Sequence, residues 1–292
     1  MLALAAVISL LAAPPEPTPA PTALPSDPVL VGAGDIVDCK DRVGSIKTAA
    51  LIDRIPGTVF TLGDNAYESG SIEQFAQCYE PSWGRFRNRT RPAPGNHDYR
   101  TKGARAYFQY FGPAAGDPKL GYYGYDLGAW HVIVLNSNCK EIGGCGAGSA
   151  EAVWLRQELA SHPALCTVAM YHHPRFSSAS HGDITWMDEL WKILAEGGVD
   201  VALAGHDHVY ERFAPLDAAG RPDPEHGIRS FIVGTGGKSH YKFDHGLHAA
   251  SEAHNTDTFG VLKLTLHPDS YDWEFVPVAG GLFHDSGSGR CH

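Results

Sequence analysis

The 292 residues carry a formal net charge of −10 and 43% hydrophobic side chains, enough apolar mass for one large domain or two ordinary ones. That charge excludes nucleic acid and anionic membrane surfaces as general partners. A small anionic substrate would need a locally positive site. Residues 1–13, with an apolar run from Leu2 to Ala13, read as a signal peptide too short for stable membrane insertion. The reading departs from the usual pattern in two ways: the first positive side chain is Lys40, and no A-x-A site marks a cleavage point. Residues 14–28 hold seven prolines among small residues and read as a polyproline-type linker. A single globular domain is expected over 29–282, and a tail over 283–292.

Val29 to Ala33 is an apolar strand that runs into Gly34-Asp35. Val43 to Ile55 has helical spacing and is stopped by Pro56. The β-branched run Thr58 to Leu62 completes a right-handed β-α-β unit. Ser71 to Phe86 reads as a helix with Ser71 as its N-cap and Glu73 in the first turn. Tyr122 to Tyr125 and Trp130 to Asn136 read as neighbouring strands, and Ser149 to Ala160 as an amphipathic helix. Thr167 to Tyr171 is a buried strand, Asp183 to Leu194 a helix, and Val199 to Leu203 another strand. The remainder is strand-rich: Val209 to Phe213, Ser230 to Gly234, Gly260 to Leu266 and Tyr271 to Val278.

Six cysteines without a C-x-x-C pair suit an oxidising, secreted or periplasmic setting. The expected pairing is Cys39–Cys78, Cys139–Cys145 and Cys166–Cys291, with buried free thiols as the alternative.

Five loops follow strands and carry metal-ligand side chains: Gly34-Asp35, Gly63-Asp64-Asn65-Ala66-Tyr67, Gly95-Asn96-His97-Asp98, His172-His173-Pro174 and Gly205-His206-Asp207-His208. Strand ends are where open α/β sheets place ligands. The set mixes hard oxygen donors (Asp35, Asp64, Tyr67, Asn96) with imidazoles (His172, His206, His208). Carboxylate and phenolate favour Fe(III), whereas imidazole suits Zn, Fe or Mn as a divalent metal. Seven ligands are too many for one ion and fit two, with Asp64 shared. Asp98 and Asp207 read either as acceptors behind the ligands or as solvated loop carboxylates. Gly234-Thr235-Gly236-Gly237-Lys238 reads either as a phosphate-lining loop or as a plain turn.

The series GD, GDNAY, GNHD, HHP and GHDH resembles the metallophosphoesterase superfamily and, in detail, the purple acid phosphatases. The resemblance covers roughly Val29 to Val278. Many metallophosphoesterases carry a histidine ligand two residues after the first aspartate. Here that position is Val37, and Tyr67 stands in for the missing ligand.

The resemblance implies a four-layer α-β-β-α sandwich of two mixed sheets flanked by helices, so that residues 29–282 would be a catalytic domain. It implies Fe(III) on Asp35, Asp64, Tyr67 and His208, and a divalent ion on Asp64, Asn96, His172 and His206. His97 would face the phosphate or leaving group, and His181 a substrate. Where the plant enzymes have a second histidine after the position of His181, this chain has Gly182, which alters the leaving-group contact. The N-terminal β-sandwich of the larger plant enzymes is not expected ahead of Val29. The function implied is a secreted phosphatase that cleaves small phosphate monoesters with a metal-activated hydroxide. The alternatives are a phosphodiesterase or nucleotidase on the same metal pair and a non-catalytic metal-binding surface module. The sequence leaves the oligomeric state open.

Overall fold

The computed structural model describes residues 27–292 apart from residue 245. The expected signal peptide and most of the expected linker lie outside the described residues. In chain order the strands are β1 (Val29–Ala33), β2 (Val37–Asp38), β3 (Thr58–Leu62), β4 (Ala66–Tyr67), β5 (Thr90–Ala93), β6 (Tyr123–Leu127), β7 (Trp130–Val134) and β8 (Cys166–Met170). They continue with β9 (Val201–Ala204), β10 (Tyr210–Phe213), β11 (Arg229–Val233), β12 (Ser251–Asn255), β13 (Gly260–Leu266), β14 (Ser270–Pro277) and β15 (Ser286–Arg290). The α-helices are α1 (Val43–Ile52), α2 (Ile72–Gln74), α3 (Arg105–Phe111), α4 (Ala150–Ser161) and α5 (Asp188–Glu196).

Two mixed sheets make the body, one ordered β15-β14-β13-β1-β3-β5 and one ordered β12-β10-β11-β9-β8-β7-β6. Side-chain alternation along the strands sorts the core into two layers. In the larger sheet Trp130, Val132, Val134, Val168, Met170, Val201, Leu203, Phe231 and Val233 face the smaller sheet. The intervening Ile133, Ala169, Ala202, Ala204 and Ile232 face Leu155 of α4 and Leu190, Trp191 and Leu194 of α5. The architecture is therefore the expected pair of mixed sheets flanked by helices.

Local chemistry sets several boundaries. Ser71 caps α2, and its side chain and that of Gln74 exchange hydrogen bonds with each other's backbone. The single helix expected over 71–86 is broken: a π-turn covers Phe75–Tyr79 and a 3-10 segment covers Trp83–Arg89. Phe75, Tyr79 and Trp83 are buried along this path, and their i, i+4, i+8 spacing, which one α-helical face also aligns, is why the sequence reads as a single helix. The expected tail is also corrected, because β15 is the edge strand of the smaller sheet, paired along β14. All three expected disulfides form: Cys39–Cys78, Cys139–Cys145 and Cys166–Cys291. The last closes a 125-residue separation and holds the C-terminus on β8.

Glu151, in the first turn of α4, is 1% exposed and accepts the Asn136 backbone N–H at 2.6 Å. Burial pushes its carboxyl up from 4.5 to about 8, against that hydrogen bond. Between those values the native state keeps a proton that the unfolded chain loses, so stability falls as pH rises through the window. Glu151→Gln keeps the acceptor and removes that term. Denaturant unfolding at pH 5 and pH 8 should show the stability drop shrinking in the variant, on the order of 2 kcal/mol. An unchanged drop contradicts a protonated Glu151.

Candidate metal centre

β1, β3 and β5 run parallel in one sheet, and β7, β8, β9 and β11 in the other. Their carboxyl-terminal loops meet and bond to one another. Gly34 N–H donates to Val233 O at 2.8 Å, Asp35 N–H to Gly63 O at 3.1 Å, and Gly205 N–H to His172 O at 3.0 Å. The chain turns sharply here. Asp35, Asp64 and His206 themselves take positive φ (59°, 50° and 71°), a strained state for side-chain-bearing residues that clusters at functional sites. Gly95 is needed for close approach, since a Cβ there would lie 2.1 Å from the Asp64 nitrogen.

These loops bring all seven expected ligands together in two overlapping groups. In the first, Tyr67 Oη donates to Asp35 Oδ1 at 2.8 Å and lies 3.1 Å from His208 Nε2. His208 Nε2 is 3.4 Å from the same Asp35 oxygen. In the second, His172 Nε2 is 3.0 Å from Asn96 Oδ1 and 3.2 Å from His206 Nδ1. Asp64 joins them, with Oδ1 3.4 Å from His172 Nε2. Asp35, Asp64 and His172 offer donor atoms within 4.8 Å of one another. Leu62 O engages His172 Nδ1 at 2.7 Å and Ser239 Oγ engages His208 Nδ1 at 2.7 Å, which leaves both Nε2 atoms for the cluster.

The electrostatics suit a cation. Although burial opposes it, His172 and His97 hold the Asp64 carboxyl far below its ordinary value. Burial, reinforced by Asp35 and Asp64, pushes the Tyr67 phenol well up. Burial would lower His172, yet Asp64 and Asp35 raise it to about 9. His206 goes the other way, to about 3, through burial and its neighbours His172 and His181. A metal ion entering this cluster would displace protons from Tyr67 and His172, so its uptake weakens as pH falls.

Around the ligands, the His97 backbone N–H donates to Asp64 Oδ1 at 2.7 Å, and its Nε2 lies 3.8 Å from Asp64 Oδ2. His97 Nδ1 is 2.7 Å from Glu68 O. His181 reaches the rim, its ring centroid 4.2 Å from that of His206 and its Nδ1 3.0 Å from Asp207 Oδ1. The hydrogen bond to Asp207 raises the His181 imidazole against partial burial. Asp98 and Asp207 are both fully buried, not solvated. Asp98 Oδ2 accepts from Gly95 N–H and Asn65 Nδ2, each at 2.9 Å, and pins two ligand loops to each other.

Gly234 to Lys238 is a turn, not a phosphate cradle. Its N–H groups at Gly234, Gly236 and Lys238 are spent on the carbonyls of Val209, Gly34 and Asp35. What the segment supplies instead is a wall. Lys238 Nζ lies 4.8 Å over the Tyr67 ring and binds Asp38 and Glu68 at 2.7 Å each. Tyr241 stacks on His208 with centroids 4.0 Å apart. His173, left without a role in the sequence reading, belongs beside the ligands: it is 5% exposed, with its ring 4.4 Å from that of His206 and Nδ1 2.8 Å from Ser137 Oγ. The histidine doublet after β8 was its only signal.

Strand-end aspartates, an asparagine, histidines and a tyrosine between two mixed sheets define the centre of a metallophosphoesterase. Residues 25–210 match the family model of the calcineurin-like phosphoesterases, and the chain belongs to that family. An acid phosphatase of Aspergillus ficuum is 31% identical over 155 residues, 46% of this chain and 25% of that protein. Purple acid phosphatase 23 of Arabidopsis thaliana is 27% identical over 158 residues, 47% of this chain and 34% of that one. The matched stretch is thus about a quarter to a third of these relatives' length. The solved purple acid phosphatase PPD1 from yellow lupin (Lupinus luteus) seeds shares the fold. Its TM-score is 0.74 at 21% identity, over 90% of this chain and 53% of that chain.

Proposed function

We propose that the chain is a purple acid phosphatase-like hydrolase that cleaves small phosphate monoesters with two metal ions. The observation that supports this is the pair of donor groups, with the Asp64 carboxylate within 4.8 Å of ligand atoms of both Asp35 and His172. The donor chemistry fits two different ions. Asp35, Tyr67 and His208 with Asp64 offer carboxylate and phenolate suited to Fe(III), and Asn96, His172 and His206 with Asp64 suit Zn, Fe or Mn as a divalent ion. Such ions, when bound, lower the pKa of water and neutralise charge on a phosphate ester.

The protein's own groups do the rest. Asp35, Asp64 and Tyr67 set the cluster's charge, and Leu62 O and Ser239 Oγ fix which imidazole nitrogens face inward. His97, held by Glu68 O at Nδ1, turns Nε2 toward the cluster, where it can donate to a phosphate oxygen or leaving alkoxide. His181, held by Asp207, takes the substrate-facing rim. The three disulfides support export to an oxidising compartment. Among the described residues no helix is long and apolar enough to cross a membrane.

The test is spectroscopic and kinetic together. Iron-loaded protein should absorb visible light through tyrosinate-to-iron charge transfer and hydrolyse p-nitrophenyl phosphate. Tyr67→Phe should lose the band while the far-UV circular dichroism stays unchanged. A band that survives the substitution removes Tyr67 from the iron site.

A further inference from the structure

Beside the divalent-ion ligands lies a cavity of about 360 Å³ that the chemistry above does not use. Asn96 and His173 line it on the side of the donor cluster, together with Tyr99, Arg100, Ser137, Lys140 and Trp186. Its position singles out one direction of approach, since His181 and Tyr241 border the other side of the cluster, next to His206 and His208. Trp186 is the unusual wall residue: a large aromatic left 50% exposed in the 3-10 turn Thr185–Met187 just ahead of α5. It is nonetheless oriented. Its indole Nε1–H donates to Ser137 O at 3.3 Å, and its ring meets that of His173 edge-on at 5.5 Å. His173 in turn packs on His206. Opposite stands Tyr99, whose hydroxyl accepts from Asn136 Nδ2 at 2.7 Å. An exposed but fixed aromatic face lining a cavity next to a reactive centre is a ligand platform. Arg100 and Lys140 give the rim a net positive edge, with Glu141 the lone wall carboxylate.

We infer that this cavity is the leaving-group subsite, that Trp186 determines specificity there, and that it selects phosphate esters whose alcohol carries a planar ring, nucleoside monophosphates being the class that fits. The inference rests on the phosphatase reading. With the phosphoryl group at the donor cluster, the ester oxygen points past Asn96 and the ring lies on Trp186. Hydrolysis breaks the P–O bond, gives the alkoxide a proton and adds water's oxygen to phosphorus. Stacking on the base is sequence-tolerant, so the subsite should discriminate ring from no ring more than one base from another.

The experiment compares adenosine 5′-monophosphate with ribose 5-phosphate, which share a primary alkoxide leaving group and differ in the base. In the metal-loaded wild type, kcat/KM should favour the nucleotide by about tenfold, mainly through KM. Trp186→Ala should bring the ratio near one, and Trp186→Phe should keep most of it. A ratio near one in the wild type, or one that Trp186→Ala leaves in place, overturns the subsite. Calorimetric binding of both compounds is measured alongside. A nucleotide preference in binding that depends on Trp186, without turnover, upholds the subsite and rejects the hydrolase. Absence of that preference in binding rejects the subsite, whatever the turnover of p-nitrophenyl phosphate.

Discussion

Asp64→Ala is expected to lose both bound ions and to lower kcat/KM for phosphate esters by about a thousandfold or more, several kcal/mol of charge stabilisation at 1.36 kcal/mol per decade. The Asp64 carboxylate lies within 4.8 Å of ligand atoms from both donor groups, Asp35 of the first and His172 of the second. One oxygen is 3.4 Å from His172 Nε2 and takes the His97 backbone N–H at 2.7 Å, while the other faces His97 Nε2 at 3.8 Å. The residue is 2% exposed, so water cannot replace the lost carboxylate oxygens without rearranging the Gly95 loop packed on it. The substitution therefore acts on metal content before it acts on chemistry. Metal analysis and steady-state kinetics on the same preparation check this, with circular dichroism confirming the fold. Retention of two ions, or activity within tenfold of wild type, removes Asp64 as the shared ligand.

Asp285→Ala is expected to cost about 2 kcal/mol of stability, below the scale of a fully buried charge pair because Arg212 and Asp285 keep 11% and 9% side-chain exposure. Asp285 accepts from Tyr210 Oη at 2.7 Å, from Arg212 Nε and Nη2 at 2.8 and 3.0 Å, and from Trp273 Nε1 at 3.2 Å. Tyr210 and Arg212 belong to the larger sheet and Trp273 to the smaller, so this carboxylate ties the two together. Although burial opposes it, Arg212 and Tyr210 hold the carboxyl below its ordinary value. Its stabilisation is therefore present above about pH 4 and is lost as pH falls. Denaturant unfolding with the disulfides intact gives the number. A loss under about 1 kcal/mol would mean that the contact with Glu252 alone satisfies Arg212.

The same region of the fold carries little signal in the sequence. β15 is Ser-Gly-Ser-Gly-Arg, with no apolar alternation to betray a strand, and only its pairing with β14 makes it one. β12 and α3 went unread for related reasons. Ser251 to Asn255 is polar at an edge, and Arg105 to Phe111 is an aromatic run whose partners, Phe75 and Tyr79, come from a distant irregular segment. The seven candidate ligands could be proposed from sequence because each sits one to four residues past a glycine at a strand end, or two residues after β8, a signal contained in a few consecutive residues. The wall formed by Lys238, Ser239 and Tyr241 was not, since its meaning lies in contacts with Tyr67 and His208, more than 100 and about 30 residues away in the chain. The glycines ahead of the ligands do not make the sharp turns alone. The positive φ at Asp35, Asp64 and His206 shows that the ligands carry much of that strain themselves.

If two different ions share Asp64, metal analysis of the purified wild-type protein, combined with p-nitrophenyl phosphate turnover, should register both. About two ions per chain are expected, at least one of them iron, with hydrolysis that is lost when the ions are removed and regained when they return. A single ion per chain, or two bound ions with no hydrolysis of any phosphate ester, would contradict that expectation.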